Sequence, residues 1–204
     1  RLGKENKKYY RENIKELISQ HKGNEGNFIY SNDNKEISFE KSSYIITDIF
    51  NIEINSKKIL TKIYNSLIKQ IIDDTAEYNK LTTHIRAYFE KLIFNSSFEV
   101  EQGEEIDINS LLKLGDFRIH VEEDDILEKF IKFLKVLVQL CGITIIFIVG
   151  LHNVFTDEEV REIYKEVCVN KISIINIEYQ QFDNISDENY IEKVYIFDED
   201  NCEI

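Results

Sequence analysis

The 204-residue chain has no proline, tryptophan or methionine, and only seven glycines and three cysteines. Each shortage removes a class of protein. Cys141, Cys168 and Cys202 are odd in number, far apart and never in a C-x-x-C pair. That excludes a disulfide framework and a paired-cysteine zinc site, and it fits reduced thiols in a cytoplasm. The glycines are too scattered for a phosphate cradle. No G-x-x-x-x-G-K-[ST] occurs, and Gly150, after the most apolar run, stands alone. G-x-S-x-G and H-E-x-x-H are absent too, and His21, His84, His120 and His152 are scattered as structural histidines are. No apolar run reaches the length of a membrane-spanning helix; the longest, Ile143–Leu151, suits a buried strand. The chain opens at Arg1 without a signal-peptide pattern, and the expectation is that a natural start carrying an opening strand is missing. Abundant Lys, Ile and Asn beside these absences is the composition of an AT-rich bacterial genome.

Positive charge is short as well. Thirty-eight acidic residues oppose 25 basic ones, a net charge of −13. Taken whole, such a chain repels DNA, because affinity for phosphates depends on local Lys and Arg. A nucleic-acid reading therefore needs cations gathered in one place, or acids neutralised by metal ions. A soluble acidic protein with a solvated face fits the same composition. At 43% hydrophobic residues, a chain of this length can bury a core without staples.

The pattern along the chain is α/β with a helical interruption. Residues 4–20 predict a helix, rich in Lys4, Lys7, Lys8, Arg11 and Lys15 on its polar side. Phe28–Tyr30 and Glu36–Phe39 flank the turn Ser31-Asn32-Asp33-Asn34 and predict a β-hairpin. Tyr44–Thr47 predicts a strand. Asn55 or Ser56 would cap a helix whose apolar positions Ile59, Leu60, Ile63, Leu67 and Ile71 recur at helical spacing. After Asp73-Asp74-Thr75 a second long helix carries Tyr78, Leu81, Ile85, Tyr88, Phe89 and Leu92, so the two suggest an αα-hairpin. Short strands are expected at Phe98–Glu101 and Phe117–Val121, with a helix Ile108–Leu114 between them stopped by Gly115. Asp124–Leu140 predicts a strong helix. Ile143–Val149 and Ile172–Ile177 read as buried parallel strands joined by a helix that opens on the capping box Thr156–Glu159. Val194–Phe197 would be a last strand. The fold class is α/β, with a mostly parallel sheet and a helical leg. The boundaries are a head of residues 1–55 and 98–204, and a leg of residues 56–97.

Two charged groups bear on function. Between Glu99 and Glu128 lie eleven acids, opposed only by Lys113 and Arg118. Asp124 and Glu128 share one helical face, and their repulsion would be relieved if the segment near Glu101 came beside them with a hard dication. Ca²⁺ accepts such oxygen-rich, flexible sets, and a solvated acidic face has the same sequence. The second group is lysines on single helix faces: Lys58, Lys62 and Lys69, and Lys129, Lys132 and Lys135. They could reach duplex phosphates without reading bases; solvated helix faces look identical. No aromatic-basic interleaving points to single strands.

Several strings resemble one family, the small accessory protein of CRISPR type II-A loci. They include Asn6-Lys7-Lys8-Tyr9-Tyr10-Arg11-Glu12, Ile46-Thr47-Asp48-Ile49-Phe50, Asn55-Ser56-Lys57-Lys58-Ile59-Leu60, Leu151-His152-Asn153 and Asp198-Glu199-Asp200-Asn201-Cys202. The ordered set spans nearly the whole chain. The resemblance implies a degenerate P-loop-ATPase-like head that has lost its nucleotide motifs, and a homotetrameric ring around double-stranded DNA ends. It also implies structural Ca²⁺, and a non-catalytic role in spacer acquisition beside the CRISPR integrase and effector nuclease. Residue by residue, Glu101, Glu104, Asp124 and Glu128 fall where the family keeps acids near calcium. Gly103, Asn109 and Lys132 replace acids of some members, which bears on the number of ions. The ring-lining lysines, chosen by helical face, are Lys58, Lys62, Lys69 and Lys132. The competing reading is a degenerate ATPase-like interaction platform in the adaptation complex without direct DNA binding. A metal-dependent nuclease would need a lysine or histidine placed to activate water, and the acidic stretch offers none.

Overall fold

Isoleucine and valine crowd residues 143–149 because this segment is buried from both sides, as a central parallel strand must be. The structure, a computed structural model, describes residues 2–4, 7–32, 35–122, 125–182 and 193–197. In chain order its elements are β1 (Leu2–Lys4), α1 (Lys7–His21), β2 (Ser31–Asn32), β3 (Lys35–Glu36), α2 (Phe39–Ser42) and β4 (Ser43–Ile46). Then come α3 (Lys57–Asp73), α4 (Thr75–Phe94), α5 (Ile108–Leu114), α6 (Ile126–Gln139), β5 (Ile145–Val149), a 3₁₀ turn (Leu151–Asn153), α7 (Asp157–Val169), β6 (Ile174–Ile177) and β7 (Tyr195–Phe197). The chain divides into two compact units: Arg1–Ile54 with Val121–Ile204, and Asn55–His120.

Unit 1 holds a five-stranded parallel sheet in the order β4-β5-β6-β1-β7. Ser43 to Ile46 of β4 run beside Ile145 to Ile148 of β5, and Ile146 to Val149 run beside Ile174 to Ile177 of β6. Helix α6 is the main apolar cover. Its Phe130, Ile131, Phe133, Leu134 and Leu137 are buried, and each such side chain contributes about 1.5–3 kcal/mol of burial free energy. The capping box forms as the sequence predicts. Thr156 Oγ1 accepts from the Glu159 N–H, and the Glu159 carboxylate accepts from the Thr156 N–H at 2.8 Å.

The hairpin is shorter than predicted and shifted. β2 and β3 are two residues each, and Phe39 opens α2, where its ring packs on Phe147 at 5.5 Å. The ring's place in the core outweighs the alternation that suggested a strand. Gly150 ends β5 in the left-handed region at φ 76°, where a Cβ would also come within 2.6 Å of Asn153 Nδ2.

Unit 2 is helical, and among its residues there is no strand. Phe98–Glu101 is coil, with Phe98 82% exposed, and residues 117–121 are coil as well. A strand needs a partner ladder, and the sheet belongs to unit 1. Residues 98–120, expected in the head, are part of unit 2 because they pack on its helices. The Tyr78 hydroxyl donates to the Ile106 carbonyl at 2.6 Å, and the Tyr64 and Phe117 rings meet edge to face at 6.2 Å. Asn55 does not cap α3. Its amide donates to the Ile119 carbonyl (3.0 Å) and its Oδ1 accepts from the Ile119 N–H (2.8 Å), so it fastens the two ends of the unit together. Only Asp74 separates α3 from α4, and α4 buries no residue, so the two helices do not close on each other along their lengths. Gly115 stops α5 through close approach and not through a left-handed φ: a Cβ there would meet the Phe117 ring at 2.5 Å.

Candidate nucleic-acid interface

Helix α3 sorts its residues by face. Ile59 is buried and Leu60, Ile63, Leu67 and Ile71 are half-buried, while Lys57, Lys58, Lys62 and Lys69 are exposed. With 3.6 residues per turn, Lys58, Lys62 and Lys69 lie within about 40° of one another, over roughly 16 Å of helix. The one acid in the helix is Asp73, at its last position. Among the described residues no ion pair to any of these lysines is formed. Three cations in a row without counter-charges are repelled by one another and attract an external anion.

Lys132 differs. It lies in unit 1, on α6, half-buried, with its Nζ 3.1 Å from Glu128 one turn back. Its ammonium thus pairs with a carboxylate on its own helix, which none of the α3 lysines does among the described residues. Lys135, on the same helix, is 2.7 Å from Glu166 of α7, and that contact holds the Glu166 carboxyl below the usual carboxylate range. Of these two α6 lysines, Lys135 ties α6 to α7 and Lys132 pairs within its own helix.

The acids divide as well. Glu101 and Glu104 are exposed in the coil of unit 2, and Glu128 belongs to unit 1; Asp124 lies outside the described residues. Among the described residues no three of His, Cys, Asp and Glu come together as metal ligands. Several neighbours have local work. Asp125 caps α6 by accepting from the Glu128 N–H (2.8 Å), and Asp107 caps α5 from the Ser110 N–H (2.8 Å). The Ser110 hydroxyl and N–H together hold the Asp107 carboxyl low. Asp116 pairs with Arg118 at 3.1 Å. An Asp directly before the first helical residue, accepting from the N–H three residues on, is the legible signal for both caps.

Sequence reasoning missed a buried polar cluster at the carboxyl edge of the sheet, where His152 Nδ1 lies 2.9 Å from Glu178 Oε1. No acid follows β5 in sequence; the acid comes from the end of the neighbouring strand, β6. Tyr10, on α1, is held above the ordinary tyrosine range by burial and then by the Glu178 charge.

The class these features define is an α/β protein with a parallel sheet, no phosphate cradle, and a separate helical unit carrying an unpaired basic row. Residues 20–201 match the family model described as CRISPR-associated protein (Cas_Csn2), and the chain belongs to that family. It is also 24% identical over 154 residues to the CRISPR-associated protein Csn2 of Enterococcus faecalis, an alignment covering 72% of this chain and 70% of that protein. No helix among the described residues is long and apolar enough to cross a membrane.

Proposed function

We propose that this protein binds double-stranded DNA ends without sequence preference, as a calcium-stabilised homotetrameric ring, and supports CRISPR spacer acquisition without catalysis of its own. The observation that carries the reading is the row Lys58, Lys62 and Lys69, exposed and without ion pairs among the described residues, in a chain of net charge −13. Amines spaced along one helix face touch phosphates and leave base edges unread, so the binding is indifferent to sequence. Self-assembly overcomes the overall negative charge by gathering several such rows around one duplex. Unit 2 also supports assembly, because Leu81, Tyr88, Phe89, Leu92 and Phe94 of α4 are exposed apolar surface of the kind that marks contact sites. Calcium belongs to the same reading. Glu101, Glu104, Asp124 and Glu128 would offer it oxygen donors only, which suits a hard dication, and Lys132 holds the cation's place at Glu128.

The test is a gel shift of linear against closed circular duplex, with and without chelator, over a range of salt. Expected are binding to linear DNA alone, a steep loss with salt, and weakening on chelation. Equal retention of circular DNA would overturn end binding, and the absence of salt-dependent DNA binding would overturn the whole reading in favour of a protein-interaction platform.

A further inference from the structure

At the carboxyl ends of β5 and β6 three polar side chains are held out of water. The side chains of His152 and Glu178 are each 1% exposed, and Asn176 is 3% exposed. Glu178 Oε1 accepts from the His152 backbone N–H (3.0 Å), from His152 Nδ1 (2.9 Å) and from Asn176 Nδ2 (3.0 Å). With Glu178 as a carboxylate, Oε1 can only accept, which places the imidazole proton on Nδ1; Asn176 Nδ2 also lies 3.3 Å from that nitrogen. The orientation of the Asn176 amide follows, because its own oxygen would be repelled by the carboxylate.

The other half of each group is bare. His152 Nε2, Asn176 Oδ1 and Glu178 Oε2 are buried without a hydrogen-bond partner among the described residues. Such atoms are costly to keep from water, and an apolar trio of the same shape would avoid the cost. The segment that follows β6 lies over them. Phe182 stacks on the His152 ring, 4.5 Å between centroids and 16° from parallel. At the segment's other end Tyr179 meets the Tyr10 ring at 5.6 Å and the Lys7 ammonium at 5.4 Å, both from α1.

We propose that His152, Asn176 and Glu178 form a clasp that holds the strap Tyr179–Phe182 closed over the carboxyl edge of the sheet, with the Glu178 charge keeping it shut. Closing gains three bonds to one carboxylate oxygen, bonds that are stronger for being charge-assisted. Opening lets water reach the three bare atoms. The two gains oppose each other, and the Glu178 charge is what weighs toward the closed form. The edge that the strap covers is the one where open parallel sheets take their ligands. The inference stands on unit 1 alone and does not depend on the DNA reading.

Amide hydrogen exchange on the full chain tests it. The His152 N–H reports the clasp, because its acceptor is Glu178; the Gly150 N–H, bonded to the Ile177 carbonyl at 3.0 Å, reports the adjoining sheet. Glu178→Gln keeps the shape and removes the charge. The expected result is His152 exchange faster by about tenfold, the scale of exchanging charged for neutral hydrogen bonds, with Gly150 and β5 amides unchanged. Equal acceleration of both amides, or none of either, overturns the clasp. Phe182→Leu is the second variant, since it leaves the polar cluster intact. It should raise the rate at which diethylpyrocarbonate modifies His152 by about tenfold, and an unchanged rate overturns the strap.

Discussion

Unit 1 buries Phe130, Phe133, Leu134, Leu137, Ile146 and Ile148 almost completely, whereas unit 2, over residues 55–120, buries only Ile59 and Leu112 among its hydrophobic side chains. The same unit exposes Ile72, Leu81, Tyr88, Phe89, Leu92, Phe94 and Phe98. The contrast extends to charge. Lys132 and Lys135 of α6 in unit 1 are paired with Glu128 and Glu166, while among the described residues the lysines of α3 in unit 2 form no ion pair. Unit 1 therefore builds a core of its own, and unit 2 leaves most of its apolar side chains and its α3 lysines for something outside it. A head that is complete and an insertion that is not suit a protein whose interactions run through the insertion.

Substitutions can break that contrast. Leu137→Ala should cost unit 1 about 3 kcal/mol, in the range for a buried leucine that leaves a cavity. Leu92→Ala, at a site 52% exposed, should change monomer stability by no more than about 0.5 kcal/mol while reducing self-association. Urea melts at low protein concentration and sedimentation at high concentration separate the two, and equal losses in the melts would erase the distinction between the units.

The charge half of the comparison is sharpened by salt. Replacing Lys58, Lys62 and Lys69 together by alanine should reduce the log–log salt slope of duplex binding by about 2.7, from three phosphate contacts at about 0.9 each. Lys132→Ala should leave that slope unchanged, since its ammonium is engaged with Glu128. A slope that responds to Lys132 and not to the α3 row would move the interface to the head. Fluorescence anisotropy between 50 and 200 mM salt covers the range that is needed.

Smaller effects probe unit 1 alone. Thr156→Ala removes the hydroxyl that accepts from Glu159 and should cost about 1 kcal/mol in a thermal or urea melt. The Lys135–Glu166 pair should contribute a few tenths of a kcal/mol, as half-exposed ion pairs do. Its sign with pH follows from the depressed carboxyl of Glu166. The contribution is present above the pKa of that carboxyl in the unfolded chain and is lost as pH falls through the lower folded value. In Lys135→Met the stability curve should be flatter below about pH 5, and a curve that keeps its acid slope would assign the loss to other carboxylates.

The parts of the molecule legible in the sequence are those whose cause is local. Helix α7 announces itself through Thr156 and Glu159, and β5 through an apolar run that is β-branched except at Phe147. The face of α3 that carries Lys58, Lys62 and Lys69 follows from helical spacing alone. What was not legible depends on partners distant in sequence. The alternation in Phe98–Glu101 and Phe117–Val121 resembles strands, yet no ladder lies within unit 2, which holds all of these residues but Val121. Phe39 looks like a strand residue until Phe147 appears beside it. The joining of His152 to Glu178 requires knowing that β5 and β6 are neighbours, and Asn55 reads as a cap because Ile119 is far along the chain. Lys132 beside Glu128 was readable from the i, i+4 spacing, and that pairing argues for a structural part in α6.

Adjacent strands β4 and β5 are contiguous in space but bracket the whole of unit 2 in the polypeptide. On a ribosome Ser43–Ile46 would emerge long before the strand it must sit beside, and would wait with an unsatisfied edge. Bringing Ile46 to Ile148 across a free coil of that length carries an ordering entropy of about 4 kcal/mol. The two bonds between Asn55 and Ile119 shorten that span, since once they form the intervening residues no longer count as slack. One asparagine side chain thus shortens the slack between two neighbouring strands, and the rate at which their sheet assembles is where its loss would be felt first.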